Sequence, residues 1–488
     1  MPVLIQRQAA RFFLCLAVAG AMYLPGPFAN AQQKQLKAGA AMVDITPPLG
    51  LGIVGNFIIP PATHIHDPLH ARCLVLDDGT SKQVFVVADN CGIARELLDY
   101  SKKLITAETG IPGENVLMAA THTHSAVNAG VDGEWRKAGS KEMEFEDYHF
   151  FLARRMADAV RIAVNNLEPA RLGWGSGSVP QHLFNRRWKL KEKIRNPFGE
   201  MDQVQFNPGI DNPNKVEPAG GTDPEVTFLS VQSTGGRPIA LLANYSLHYV
   251  GGVPVGHVSA DYFALFAEKI REKIAQQVGD TPPFVAFMTN GTSGDVNNIN
   301  FRGPAAKHPP YEKMNIVAED VAREVLRAYN EITYRSDISL KTAYTELPVA
   351  VRKPSQKIYE QSLKVKNSPE GTKFSHPLER VFAERAVHVY ENWPGQVEVP
   401  LQVFRIGDLG IAGIPLEVFT EMGLDIRKRA PFAKAFTISF ANGSFGYLPT
   451  PAQHKLGGYE TWLTVTKVEE TASEKITQEV MRLFEQVK

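Results

Sequence analysis

Two histidines one residue apart, in Thr121-His122-Thr123-His124-Ser125, follow the apolar run Val116–Ala120. An unbroken apolar run of that length is the pattern of a strand buried on both faces. Side chains at i and i+2 of an extended chain point the same way, so His122 and His124 are expected to project together from the strand's end. Neutral imidazole is the commonest protein ligand for zinc, and such a pair suits one ligand beside one proton-handling neighbour. For an isolated His-x-His, two core histidines with satisfied hydrogen bonds are the plain alternative.

Four other strand-like runs also finish in polar groups: at Asp89, at His248, in the loop 290–298 that holds Asn297, and at Glu417. Tyr447 follows a further run, 436–440. Imidazoles, a carboxylate and a phenolate drawn from remote strand ends would make a zinc site with room for water. Ala126 and Val127 follow His124, which breaks the His-x-His-x-Asp-His form of metallo-β-lactamases. The His-x-His of amidohydrolase barrels lies on the first barrel strand, whereas here strands precede it. Asp44, Asp67 and Asp89 are candidates for holding the second nitrogens of metal-bound histidines, with turn and cap roles as the alternative.

The elements that must position these residues alternate in period. Runs at 40–46, 71–76, 83–88, 226–231, 239–247, 284–288, 401–406, 409–414 and 436–440 read as strands, and 93–109, 145–167, 260–277 and 311–329 as helices. Two further helices are expected within 351–394, a helix starting at Pro415, and a last helix with Thr471 to Glu474 as its capping box. Residues 179–225 carry many Asn, Pro and Gly with little periodicity and read as a long loop, a candidate lid. The expected fold is α/β: a mixed central sheet flanked by helices, with the metal site at strand ends.

The 488 residues are 44% hydrophobic and 21% charged, enough apolar material for a large core. Lys plus Arg and Asp plus Glu each total 52. With no net charge and no run of one sign, nucleic acid and anionic membrane surfaces are not implied as partners. Arg7 and Arg11 precede an apolar stretch too short to span a bilayer, and Ala29-Asn30-Ala31 follows. Residues 1–31 therefore read as a secretory signal peptide, leaving a secreted or periplasmic chain, 32–488, without a transmembrane segment. Cys73 and Cys91, the cysteines left after cleavage, read as two buried thiols rather than a disulfide framework. No linker or repeat divides 32–488, which reads as a single domain. Its oligomeric state is left open.

Several stretches carry a resemblance to a known family. They are Ala41-Met42-Val43-Asp44-Ile45-Thr46-Pro47, the segments 66–76, 86–89 and 113–125, Asn185-Arg186, Leu247-His248, Gly294-Asp295-Val296, Gly413-Ile414-Pro415-Leu416-Glu417, and Gly446-Tyr447 with Tyr459. In these the chain resembles the catalytic domain of the neutral, non-lysosomal ceramidases. The resemblance implies a zinc-dependent amide hydrolase with His122, His248, Glu417 and Tyr447 as zinc ligands. It implies His124 as the proton carrier, Arg186 as the substrate-contacting arginine and Tyr459 as a second active-site tyrosine, with a small-molecule or lipid amide as substrate. The chain departs from the family pattern at Asn297, which stands where the family has an active-site serine, and at Ala126-Val127-Asn128, where a glycine-rich continuation is missing. It also ends where the family's immunoglobulin-like domain would begin. A zinc-dependent esterase, an N-acyl sugar or N-acyl amino-acid hydrolase, and a non-catalytic metal-binding protein are the alternatives on the same scaffold.

Overall fold

Strand after strand in this chain is apolar at consecutive positions, so each must be covered on both faces. The computed structural model describes residues 35–55, 58–130, 147–279, 284–304 and 306–488; the expected signal peptide lies outside them. Eight strands form one mixed sheet: β1 (Lys37–Asp44), β2 (His70–Asp77), β3 (Lys82–Ala88), β4 (Val116–Ala120), β5 (Glu168–Ser178), β6 (Glu225–Ser233), β7 (Pro238–Tyr245) and β8 (Val285–Asn290). Their spatial order is β8-β7-β6-β5-β1-β2-β3-β4. A second sheet has the order β9 (Leu340–Ala350), β10 (Gln396–Ile406), β11 (Leu409–Gly413), β12 (Lys434–Ile438).

The two sheets stack face to face, and helices cover their outer faces. Along β3, Phe85 and Val87 enter the core between the sheets with Phe404, Ile411 and Phe436. Val84 and Val86 point the other way, toward α1 (Arg95–Thr109) and α2 (Asp147–Asn165). Phe85 and Phe404 meet edge to face at 5.1 Å, a pairing that adds about 0.5–1.5 kcal/mol to the area they bury. α3 (Asp261–Val278) and α4 (Glu312–Tyr329) cover the β6–β8 end. α5 (Gln356–Lys366) and α6 (Glu379–Asn392) connect β9 to β10. α7 (Thr420–Arg429) and, after the short α8 (Pro451–Leu456), α9 (Ala472–Val487) back the second sheet. The result is a four-layer α/β/β/α arrangement.

Within these two sheets most strand pairs are antiparallel, but three are parallel: β3 with β4, β7 with β8, and β11 with β12. Each parallel pair brings two carboxyl ends side by side, and the polar residues expected at strand ends lie in the loops that follow them.

Several local expectations give way. Residues 179–225 are not a structureless loop: Arg187–Arg195, Met201–Phe206 and Lys215–Pro218 form a small sheet of their own. Its Asn-rich turns, where Asn212 caps its own backbone, hid the strands. No helix starts at Pro415. Glu417–Val418 is a short strand parallel to Tyr447–Leu448, and the helix begins only at Thr420. Thr471 stands at the N-cap of α9 without a capping bond, because its hydroxyl donates to Glu469 instead. Cys73 and Cys91 are both buried thiols and form no disulfide with each other. Among the described residues, no helix is long and apolar enough to cross a membrane.

Candidate metal centre

The loop after β4 carries the two histidines, but strand alternation does not bring them together. β4 ends at Ala120, and His122 sits in the left-handed region at φ 73°. That turn aims its ring back so that Nε2 of His122 lies 3.1 Å from Nε2 of His124. The loop after β7 brings His248, whose Nε2 is 3.0 Å from the same atom of His122. Stacking fixes the rings: His122 lies on Phe440 at 4.0 Å between centroids, and His124 on Tyr249 at 3.8 Å.

Glu417 arrives from beyond β11. Its Oε2 is 3.6 Å from Nε2 of His122 and 4.0 Å from that of His248. The short parallel pairing sets Glu417 beside Tyr447 in register, which puts both side chains on one face. The loop 291–297 ties these parts together. Asp295 accepts from Thr420 on one oxygen and from Asn185 on the other, at 2.9 and 2.8 Å. Gly294 is required there, since a Cβ would stand 2.7 Å from the Glu417 carbonyl oxygen.

The carbonyl of Cys91 engages Nδ1 of His122, and that of Ser293 engages Nδ1 of His248 at 3.3 Å. A carbonyl can only accept, so each ring carries its proton on Nδ1 and presents a bare lone pair at Nε2. Two lone pairs 3.0 Å apart repel. Oε2 of Glu417, facing both, has no hydrogen-bond partner. A cation among these atoms removes both costs, and a tetrahedral zinc with bonds of ~2.0–2.1 Å separates its ligands by roughly 3.3 Å. His122, His248 and Glu417 are grouped closely enough to hold a metal ion; so are Cys91, His122 and His124, which share His122. The donor chemistry of the first group, two neutral imidazoles and a carboxylate, fits zinc.

Burial, with Arg186 nearby, pushes His122 down to about 3 and His248 well below its ordinary range, which keeps both rings neutral. Burial raises the Glu417 carboxyl to about 7 against the pull of Arg186. It pushes the Tyr459 phenol up to about 12, and Tyr447 well above its usual value.

Arg186 donates from Nη2 to the Tyr447 hydroxyl and to the Gly294 carbonyl, both at 2.9 Å. Its Nε donates to Glu460. Glu460, fully buried, also takes the guanidinium of Arg187 at 2.7 Å. Sequence reasoning missed Glu460. Its only signal is position, the residue after Tyr459 and an acid that two buried arginines need.

A cavity of about 300 Å³ opens beside the histidines, lined by His124, Arg186, His248, Asn297, Tyr447 and Tyr459 among others. A second, of about 220 Å³, lies on the Glu417 side, with Cys91 and Lys467, and shares Tyr447 and Tyr459. All eight candidate residues therefore lie at these cavities. The Asn297 amide is engaged at both ends, donating to Asn207 at 2.7 Å and accepting from the Ile299 backbone at 2.9 Å. The three aspartates lie elsewhere: Asp44 closes a turn at Thr46, Asp67 binds Ser259, and Asp89 binds Arg72. Carbonyls, not carboxylates, hold the two histidines.

Imidazoles, a carboxylate and phenols gathered at two adjoining cavities of a four-layer α/β fold are an arrangement suited to hydrolysis. The chain belongs to the neutral/alkaline non-lysosomal ceramidase family: residues 37–317, more than half of it, match that family's N-terminal region. This places it among hydrolases of amide bonds. It is 22% identical to the neutral ceramidase of Pseudomonas aeruginosa over 93% of this chain and 72% of that protein. The crystal structure of that neutral ceramidase matches with a TM-score of 0.66 at 17% identity, over 92% of this chain and 74% of the other. A ceramidase complexed with C2 matches with a TM-score of 0.67, also at 17% identity, over 92% and 75%. The family match ends before Glu417, Tyr447 and Tyr459, so over that last third the likeness rests on the pairwise match to the Pseudomonas aeruginosa protein and on the fold.

Proposed function

We propose that this chain is an exported, zinc-dependent hydrolase of N-acyl amides, working as one domain, 32–488, after loss of residues 1–31. His122, His248, Glu417 and Tyr447 hold the metal. The observation that carries this reading is the facing pair of bare imidazole nitrogens beside a carboxylate oxygen with no partner. Zinc in such a site supplies Lewis acidity, polarising a carbonyl and acidifying water.

The chain's own residues supply the rest. The Tyr459 phenol, protonated at neutral pH, donates to the oxygen that gains charge as the amide carbon turns tetrahedral. His124 carries a proton to the departing nitrogen, for which it lines the larger cavity. Arg186 spends three N–H groups on protein acceptors, which leaves Nη1 for the substrate and holds the guanidinium charge against the Tyr447 oxygen. Asn297 replaces a serine without loss of the reaction, because the attacking group is water and the asparagine shapes the wall. The cavity lies at the small end of the range for ligand pockets, so the reacting amide and its short flanks fit inside.

Elemental analysis of purified protein, followed by a panel of N-acyl amides and matched esters, tests this. One zinc per chain and amide turnover are expected, with both lost in His122→Ala and in Glu417→Ala. Either variant retaining full metal would refute the ligand assignment, and zinc-loaded protein inert toward every amide would refute the activity.

A further inference from the structure

The charge around the two cavities is lopsided in a protein whose total charge is zero. Among the described residues no aspartate or glutamate lines the larger cavity, yet Arg186 and Arg385 do. The smaller has Glu417 as its one acid among the described residues, together with Arg385 and Lys467. Arg186 is neutralised from behind by Glu460. Arg385 is not: it stands exposed on α6 at the junction of both cavities, and among the described residues no carboxylate lies within ion-pair distance of it. Its guanidinium rests instead over the Phe382 ring, 5.4 Å from the centroid, which holds the long side chain in place without using its N–H groups. Such a fork matches a carboxylate with two parallel bonds.

We propose that Arg385, with Lys467 behind it, forms an anion subsite, so that the substrates are N-acyl amides bearing a carboxylate close to the scissile bond, N-acyl amino acids being the simplest. This rests on the amide-hydrolase reading and narrows its substrate class. The reaction balances as hydrolysis: water adds across the C–N bond, the acyl group leaves as a carboxylate, and the amino acid leaves as its amine. The carboxylate on Arg385 takes no part in bond making and serves to orient the amide between His124 and Tyr459.

The test uses the full-length protein with its metal and a matched pair of probes, N-hexanoylglycine and its neutral primary amide. Wild type should favour the acid in kcat/KM. Loss of a charge-assisted contact should cut that preference roughly 10–100-fold in Arg385→Gln, and Arg385→Lys should restore part of it. Calorimetric binding of N-hexanoylglycine is read in parallel and should weaken by the same factor in Arg385→Gln. If wild type hydrolyses both probes equally, or the preference survives Arg385→Gln, the subsite is refuted while amide hydrolysis stands. If neither probe is cleaved but the acid binds in an Arg385-dependent way, the subsite stands and the amide-hydrolase reading falls. Absence of both turnover and binding overturns the proposal.

Discussion

Replacing Glu460 by glutamine removes a single negative charge from between two arginines. Oε1 of Glu460 accepts from Nε of Arg186 at 3.0 Å and Oε2 from Nη1 of Arg187 at 2.7 Å, with side-chain exposures of 0% for Glu460, 5% for Arg186 and 0% for Arg187. Glutamine accepts on one terminal atom only and turns an NH2 toward the other guanidinium. Breaking a buried pair by removing one partner costs about 3–5 kcal/mol, chiefly from the charge left unpaired. Urea unfolding of Glu460→Gln should show a lower midpoint at unchanged slope, the two together giving a loss of that size. Glu319→Gln, which breaks the more exposed pair with Lys273, should cost at most about 1 kcal/mol. A second readout follows from Arg186, whose Nη2 also reaches Tyr447. Once Arg186 is loosened, metal affinity should fall roughly 10–100-fold in a chelator competition, as for other groups that orient ligands. A stability loss under about 1 kcal/mol with metal affinity intact would refute the claim that this buried trio braces the site.

Other perturbations have equally definite outcomes. Tyr459→Phe should lower kcat by about 10²–10³ with little change in KM, as for loss of one oxyanion donor; an unchanged kcat would remove Tyr459 from that role. A Cβ on Gly55 would stand 2.6 Å from the His124 ring at φ +110°. Gly55→Ala should therefore cut turnover per bound metal by roughly 10²-fold while zinc content stays at one per chain. Lys102, buried and donating to Asn442, has its pKa pushed down to about 8 from 10.5. The folded state thus binds the proton less tightly than the unfolded one, and the penalty is full below about 8 and gone above 10.5. Wild-type stability should rise across that window, by on the order of 3 kcal/mol, and Lys102→Met should flatten the rise; equal slopes in the two proteins would refute the burial cost.

How much of this was legible in the sequence depended on the range of the signal. β4 and β8 announced themselves because a strand covered on both faces is apolar at every position. The polar residue after each was legible for the same reason, since nothing else in the run could carry chemistry. Which loops would meet was not legible, because it depends on three parallel pairings made between distant segments. Glu417 shows the limit. Pro415 is a good first residue for a helix, yet pairing with Tyr447–Leu448 overrides that preference and turns the carboxylate toward the histidines. His122 shows another, since its left-handed backbone comes from the loop's tertiary contacts and has no glycine to announce it. Glu460 was invisible for a third reason: its meaning lies in Arg186 and Arg187, more than 270 positions earlier.

The parallel pairing of Glu417 with Tyr447 also governs when the proposed centre can exist during synthesis. A ribosome that has released His122 and His248 but not yet Tyr447 has delivered both imidazoles without the strand that aims the carboxylate at them. Metal capture should therefore be a late event, and a nascent or clipped chain ending before that tyrosine should bind zinc no better than any exposed pair of histidines. Loading then doubles as a check on completed folding, because only a polypeptide that has closed its last sheet contact offers the ion a full set of donors.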